Sequence, residues 1–359
     1  MHRFLALLLA LLPAPLATLP AKAETPVTKI LADTLSGYIR PSYAELETAT
    51  AQLADAAKEL CDTPNDQTLA ATRAVFKDTV SAWSKIEWFR TGAVMNDNRI
   101  ERMFYFPDRK GSGLKQVQAA LANSDDNAAD AGSLSAKSVA MQGLGATEFL
   151  LFGTGSDALA NADGGFRCSY ILASAQTMSA IARDVQTGWA DTSETTQFWQ
   201  KPAADNPYFR SDAEALNLMI GTLVHGLDAI RDMRINTFIG KTPDADKPKL
   251  AAYWRSENTF ASIAANLEGL QNYYTASQVN TILPAGNEAL LRTIKFDFAQ
   301  AIKAAKALEM PVADVLTDGD LRKKAIYLQL TVQLLIDHFN TEFAKAAGLD
   351  TGFSFGDGD

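Results

Sequence analysis

This sequence predicts an all-α protein built of two packed helical bundles. Three observations carry the prediction. Apolar residues recur at helical spacing through most of the chain, strand signals are missing, and a polar, proline-containing stretch near the middle separates two sets of about four long helices.

The chain opens Met1-His2-Arg3 and continues into the apolar run Phe4–Leu12, reaching Ala21-Lys22-Ala23. A basic start, a short apolar core and a small-x-small site have the layout of a secretory signal peptide, residues 1–23, cleaved after Ala23. The alternative is a retained anchor. Against it, the run falls short of the roughly 20 residues a span needs, and Pro13, Pro15 and Pro20 interrupt the stretch beyond it. No later segment is apolar for long enough to span, so no membrane span is expected in the mature protein.

Residues 24–190 are expected to form the first bundle. Tyr43, Leu46, Leu53, Ala57 and Leu60 mark one stripe of a long helix, with Pro41 where it would start. Pro64-Asn65-Asp66 ends that helix and opens the next, striped by Leu69, Phe76, Val80 and Trp83. A third helix is expected over about 135–152. A fourth carries Ile171, Ala175, Met178, Ile181 and Val185. Residues 191–211 change character, with Asp191-Thr192-Ser193, Lys201-Pro202 and Asn206-Pro207, and are the candidate linker. The second bundle, 212–359, begins with the stripe Leu216, Met219, Ile220, Leu223, Leu227 and Ile230. Further helices are expected over about 249–274, 286–308 and 319–348, the last capped by Asp318 and closed by Gly348.

Charge narrows the function. The net charge is −9, and removing residues 1–23 takes away Arg3 and Lys22 but no acid. That balance argues against a general nucleic-acid binder, which needs a basic face to displace counterions. The two cysteines, Cys61 and Cys168, form an even set in an exported chain, which predicts a disulfide; the other reading is two buried thiols.

Two segments could carry chemistry. Residues 83–113 interleave Trp83, Glu87, Trp88, Arg90, Arg99, Arg102, Tyr105 and Asp108, a mixture able to line a cleft because guanidinium forks hold carboxylates in fixed geometry. The plainer reading is an ion-paired network under a loop. The run Gly143-Leu144-Gly145-Ala146-Thr147-Glu148-Phe149 places one acid in an apolar helix behind two glycines. A buried Glu148 needs a partner, and the expectation is an arginine from 90–102; the structural alternative is a salt bridge with no further role.

His225, Asp228 and Asp232 share one helix face and could offer metal ligands, although such a face is more often solvated. His338 and Glu342 read as an i, i+4 surface pair. The chain contains no His-Glu-x-x-His, Gly-x-Ser-x-Gly or phosphate-loop motif. The acids of 352–359 are too few for a calcium loop.

Read in order, several of these residues resemble the imelysin-like family of bacterial envelope proteins, also labelled an insulin-cleaving-type metallopeptidase family. They are Leu60-Cys61, Trp83 with Glu87 and Arg90, Arg99 through Phe106-Pro107-Asp108, the run from Gly143 to Phe152, Arg167-Cys168-Ser169-Tyr170, Trp254-Arg255-Ser256, and Gly348-Leu349 onward to Asp359. The resemblance implies duplicated four-helix bundles with a functional cleft between them, an envelope location and association with iron uptake. The family signature is Gly-x-His-x-x-Glu. Gly143 and Glu148 fit it, while Gly145 stands at the histidine position.

A lone Glu148 cannot supply the ligands of a metallopeptidase. The expectation is therefore a non-enzymatic periplasmic protein that binds a ligand between its bundles, linked to iron or metal uptake. Glu148, Asp108, Arg90, Arg99, Arg102 and Arg255 are expected to line the cleft, with Trp83, Gly143 and Gly145 beside them. The ligand would be a small anion, a metal chelate or an envelope partner protein. Iron or another divalent metal is the candidate cofactor, with Glu148, His225 and Asp228 as weak candidate ligands. The alternatives are a metal-dependent peptidase and a glycan-binding protein that uses Trp83, Trp88, Tyr105 and Trp254 as stacking platforms.

Overall fold

The computed structural model describes residues 26–349. The signal peptide read at 1–23 and the acidic tail of 352–359 lie outside the described residues. Among the described residues every regular element is helical.

The chain starts as one unbroken rod: α1 (Pro26–Thr34), a π-helical turn (Leu35–Ile39) and α2 (Arg40–Asp62). Pro41 therefore does not open a helix, as its position suggested. It lacks an N–H and needs room in the preceding turn, which the wide π turn provides. Asn65 caps α3 (Asp66–Ile86) by accepting from the Gln67 and Thr68 amides, and Thr68 returns the bond. The short helices α4 (Arg99–Met103), α5 (Ser112–Asn123) and α6 (Ala131–Ser135) come after it.

The single helix expected over 135–152 is broken. Its regular part is α7 (Gly143–Phe152), entered through an extended Gln142 and a left-handed Gly143. α8 (Gly165–Gly188) and α9 (Glu194–Gln200) lead to α10 (Asp212–Ala229), which continues into a second π turn (Ile230–Ile235). The helix expected from about 249 begins only at α11 (Thr259–Ser277), because Tyr253 and Glu257 adopt left-handed backbone angles that no helix admits. α12 (Glu288–Lys306), α13 (Val312–Thr317) and α14 (Gly319–Asp337) come next. α14 runs through a third π turn (His338–Phe343) into α15 (Ala344–Ala346). Asp318 caps α14 as expected, and a left-handed Gly348 lies just past α15.

Helices α2, α3, α7 and α8 pack as one closed ring of four, and α10, α11, α12 and α14 as another. Each ring buries the predicted stripes, Leu46, Leu53, Ala57 and Leu60 in the first and Met219, Ile220, Leu223 and Leu227 in the second. A Cys61–Cys168 disulfide with a Cα separation of 5.5 Å ties α2 to α8. The rings meet where α3 lies on α11. There Gly269 sits so close that a Cβ would fall 1.9 Å from the Lys85 carbonyl oxygen.

The segment 191–211 carries the chain between the rings and is anchored by a few buried side chains, with most of its other residues exposed. Trp199 and Phe209 are buried, and the Trp199 indole donates to the Leu31 carbonyl at 2.9 Å. Trp199 joins an aromatic cluster with Phe89 and Trp189, which extends through Tyr273 to Trp88 and Tyr38. The N-terminal α1 packs on α11, α10 and α9. No helix among the described residues is long and apolar enough to cross a membrane.

Candidate functional site

A cleft of about 750 Å³ opens between the two halves of the chain. Its first wall comes from Phe104 to Asp108, the start of α5 and one face of α7; its second comes from the π turn after α10 and the irregular segment 247–255.

On the first wall, the left-handed Gly143 lets α7 start hard against the preceding chain. A Cβ there would lie 2.3 Å from the Arg102 carbonyl oxygen, so only glycine fits. Gly145 faces the cleft, and a Cβ on it would meet only ordinary contacts, the Phe104 ring at 3.8 Å and the Tyr105 carbonyl at 4.0 Å. One turn further, Glu148 is buried, with its carboxyl at the cleft wall.

Glu148 does not take the arginine partner expected from 90–102. Its Oε1 accepts from the Ser256 backbone N–H at 3.0 Å and the Ser256 hydroxyl at 2.9 Å. The partner thus comes from the opposite half. The left-handed Tyr253 and Glu257 fold 253–258 into a tight turn, closed by the Asn258 N–H donating to the Tyr253 carbonyl at 3.0 Å. That turn aims the Ser256 amide at Glu148. Burial raises the Glu148 carboxyl above its ordinary value; the Ser256 amide and the Arg255 guanidinium pull it back in part.

The floor is aromatic. Phe106, Phe104 and Tyr253 stack in sequence, with centroids 5.3 and 4.6 Å apart. The Arg234 guanidinium lies 4.8 Å from the Phe104 ring and pairs with Glu87 behind the cleft. Asn266 also bonds Glu87 at 2.7 Å and the Ser84 carbonyl at 2.5 Å, so α3 and α11 are joined by a buried polar cluster. Sequence reading placed Glu87 in the motif but missed its partners Arg234 and Asn266, and it named Ser256 only within the family resemblance, not as the partner of Glu148.

Of the nine predicted site residues, Glu148, Asp108, Arg255 and Gly145 line the cleft. Asp108 has another task there. Its two oxygens accept from the Ser112, Gly113 and Leu114 amides at 2.8–3.2 Å and so satisfy the free N–H groups at the start of α5. Arg255 lies against the Trp254 and Phe149 rings, at 4.5 and 5.5 Å. Gly143 acts by close packing, and Arg102 bonds the Gln142 side chain at 3.2 Å. Arg99 points elsewhere, to the Ala93 carbonyl and to Asp184 on α8. Arg90 and Trp83 line a smaller neighbouring cavity of about 70 Å³, together with His225. The arginines therefore do not converge. Lys247, Lys249 and Arg109, which do line the cleft, were not singled out; the only sequence signal was the pair of lysines flanking Pro248.

The candidate metal ligands do not assemble. Asp228 and Asp232 both pair with Arg231, at 2.8 and 2.6 Å, while His225 belongs to the smaller cavity. Among the described residues no group of three His, Cys, Asp or Glu side chains is placed to hold a metal ion. His338 does pair with Glu342 at 2.9 Å as expected, and its other ring nitrogen reaches Asp297 on α12 at 3.1 Å.

No curated protein matches the chain. A solved imelysin-like protein from Psychrobacter arcticum 273-4 superposes with a TM-score of 0.73 at 20% identity, covering 91% of this chain and 98% of that one. A solved putative iron-regulated protein A precursor from Parabacteroides distasonis ATCC 8503 gives 0.66 at 14% identity, again covering 91% and 98%. At these identities the likeness establishes the shared fold. The family model for imelysin, labelled as a peptidase family, matches residues 39–337, and the chain belongs to the imelysin family.

Proposed function

We propose that this chain is an exported envelope protein that binds a ligand in the cleft between its two bundles, in the service of iron or other metal acquisition, without peptidase chemistry. The observation that carries this reading is the cleft itself. It is built from both halves, at about 750 Å³ it has the size of a small-molecule site, and it holds no set of metal-activating side chains among the described residues. A resident metal does not fit the donors present. One oxygen of Glu148 is bonded to Ser256, Asp108 caps α5, and Asp232 is paired with Arg231. The signature histidine position is Gly145.

The link to iron rests on the family and on the iron-regulated name of the Parabacteroides relative. Export rests on residues 1–23. A peptidase remains the second reading, favoured by the family label. It requires one tightly held metal and chelator-sensitive cleavage of a protein. The glycan reading loses two of its four platforms, since Trp83 and Trp88 are only 1% and 7% exposed.

The test is metal analysis of protein purified without chelators, paired with thermal shifts of native chain and Gly145→Trp. An indole at 145 would project into the cleft. The expected result is no stoichiometric metal, and a ligand that raises the melting temperature of the native chain but not of the plugged variant. A tightly held metal lost on Glu148→Ala would overturn the non-enzymatic reading.

A further inference from the structure

The charges lining the cleft differ in what they already bind. Its acids are engaged: Asp108 with the α5 amides, Asp232 with Arg231, Glu148 with Ser256. Its cations are held by no ion pair. Among the described residues, Arg109, Lys247 and Lys249 have no carboxylate within 4.0 Å, and Arg255 makes ring contacts to Trp254 and Phe149 in place of an ion pair. The lining sets four cations, Arg109, Lys247, Lys249 and Arg255, against three acids, Asp108, Glu148 and Asp232, and Asp232 is neutralised by Arg231, so this cleft favours anions in a chain whose net charge is −9. Both halves contribute to it, Arg109 from the first wall and the other three from the second.

The same wall carries a flat apolar surface. Trp254 is partly exposed and lines the cleft, with the Arg255 guanidinium 4.5 Å and the Lys249 ammonium 5.8 Å from its ring centroid. Tyr105 lines the opposite wall. A ring entering the cleft can stack on Trp254, displacing the exposed Lys249 stem, whose ammonium then meets an anionic substituent on that ring. The cleft is also too large for one inorganic anion to fill, and its acids already hold other partners where a bare divalent metal would need them.

We infer that the cleft takes an organic anion with a flat ring face, its acidic groups held by Lys247, Lys249, Arg255 and Arg109 and its ring by Trp254. This rests on the reading of the cleft as the ligand site. It implies that a metal reaches this protein only inside an anionic complex.

The probes are terephthalate, its neutral diamide, and cyclohexane dicarboxylate, which keeps both charges without the flat ring. Their affinities are measured by calorimetry at constant ionic strength. Terephthalate should bind, and the diamide at least about tenfold more weakly. Lys247→Gln combined with Lys249→Gln should bring terephthalate to the level of the diamide. These side chains are not buried, so the fold is expected to survive the change. Trp254→Ala should remove the preference for the flat acid over the cyclohexane acid. Equal binding of acid and diamide, no effect of the double lysine variant, or no binding of terephthalate would each overturn the inference. Gly145→Trp separates the two levels of failure. If it blocks binding that proves indifferent to charge, the cleft stands and the anion falls. If terephthalate binding survives it, the site lies elsewhere and both fall.

Discussion

Replacing Glu148 tests the contact that joins the two walls of the cleft. In Glu148→Ala the buried Ser256 amide loses its acceptor, while the Ser256 hydroxyl can still donate to the Tyr253 carbonyl. An orphaned buried donor costs roughly 1–3 kcal/mol, and losing the buried Cγ methylene adds roughly 1 kcal/mol. The expected loss is thus about 2–4 kcal/mol. With an unfolding entropy of roughly 2.1 cal/mol/K per residue, a chain of this size carries about 0.7 kcal/mol/K, so the melting temperature should fall by about 3–6 °C.

Glu148→Gln keeps an acceptor for Ser256 and removes the charge. Burial raises the Glu148 carboxyl, so the folded state favours its protonated form. That contribution is fully present below the unfolded value and is lost as pH rises through the folded one. The glutamine variant escapes this loss, so its stability relative to the native chain should climb from about pH 4 towards neutrality. Thermal melts followed by circular dichroism over a pH series read both effects. A glutamine variant as damaged as the alanine one at every pH would refute the reasoning, because it would make the ionised carboxylate, opposite Arg255, the stabilising species.

Three further outcomes are expected. Replacing Cys61 and Cys168 by serine reopens a 107-residue loop and should cost about 4–5 kcal/mol in the chain-entropy picture, read as a shift in denaturant midpoint. Gly269→Ala puts a Cβ 1.9 Å from the Lys85 carbonyl and forces α3 and α11 apart; a loss of at least about 2–3 kcal/mol is expected, and an unchanged melt would show that this contact gives way freely. Gly145→His should fold normally, since its Cβ meets only contacts of 3.8 Å and longer, and it sets an imidazole one helical turn from Glu148; zinc should then raise the melting temperature of this variant and not of the native chain.

The helices were legible wherever one face stays buried over several turns, as along α2, α3, α8 and α10. The disulfide was legible from an even cysteine count. Two kinds of feature were not legible. The first is backbone that breaks a local rule. Pro41 read as a helix start because a π turn leaves no mark in sequence, and 249–258 read as helix because neither Tyr253 nor Glu257 is a residue that ordinarily turns left-handed. The second is long-range pairing. Glu148 stood out as an acid in an apolar run, yet Ser256 lies 108 residues away, and a neutral serine gives no hint that it will meet a carboxylate. The arginines of 83–113 looked convergent because they are close in sequence. In space Arg99, Arg102 and Arg90 face α8, Gln142 and the smaller cavity.

The position of α1 bears on how the chain can be assembled. Ile30, Leu31 and Tyr38 are made first, and their burial depends on partners such as Trp199 and Tyr273, made more than 150 residues later. A chain emerging from its N-terminus must therefore hold this apolar stripe exposed until most of its length has emerged. Closing so long a loop is slow, and the waiting segment is open to wrong partners. Native packing of the leading helix then becomes a late event, and truncation after residue 190 would leave that stripe permanently without its cover.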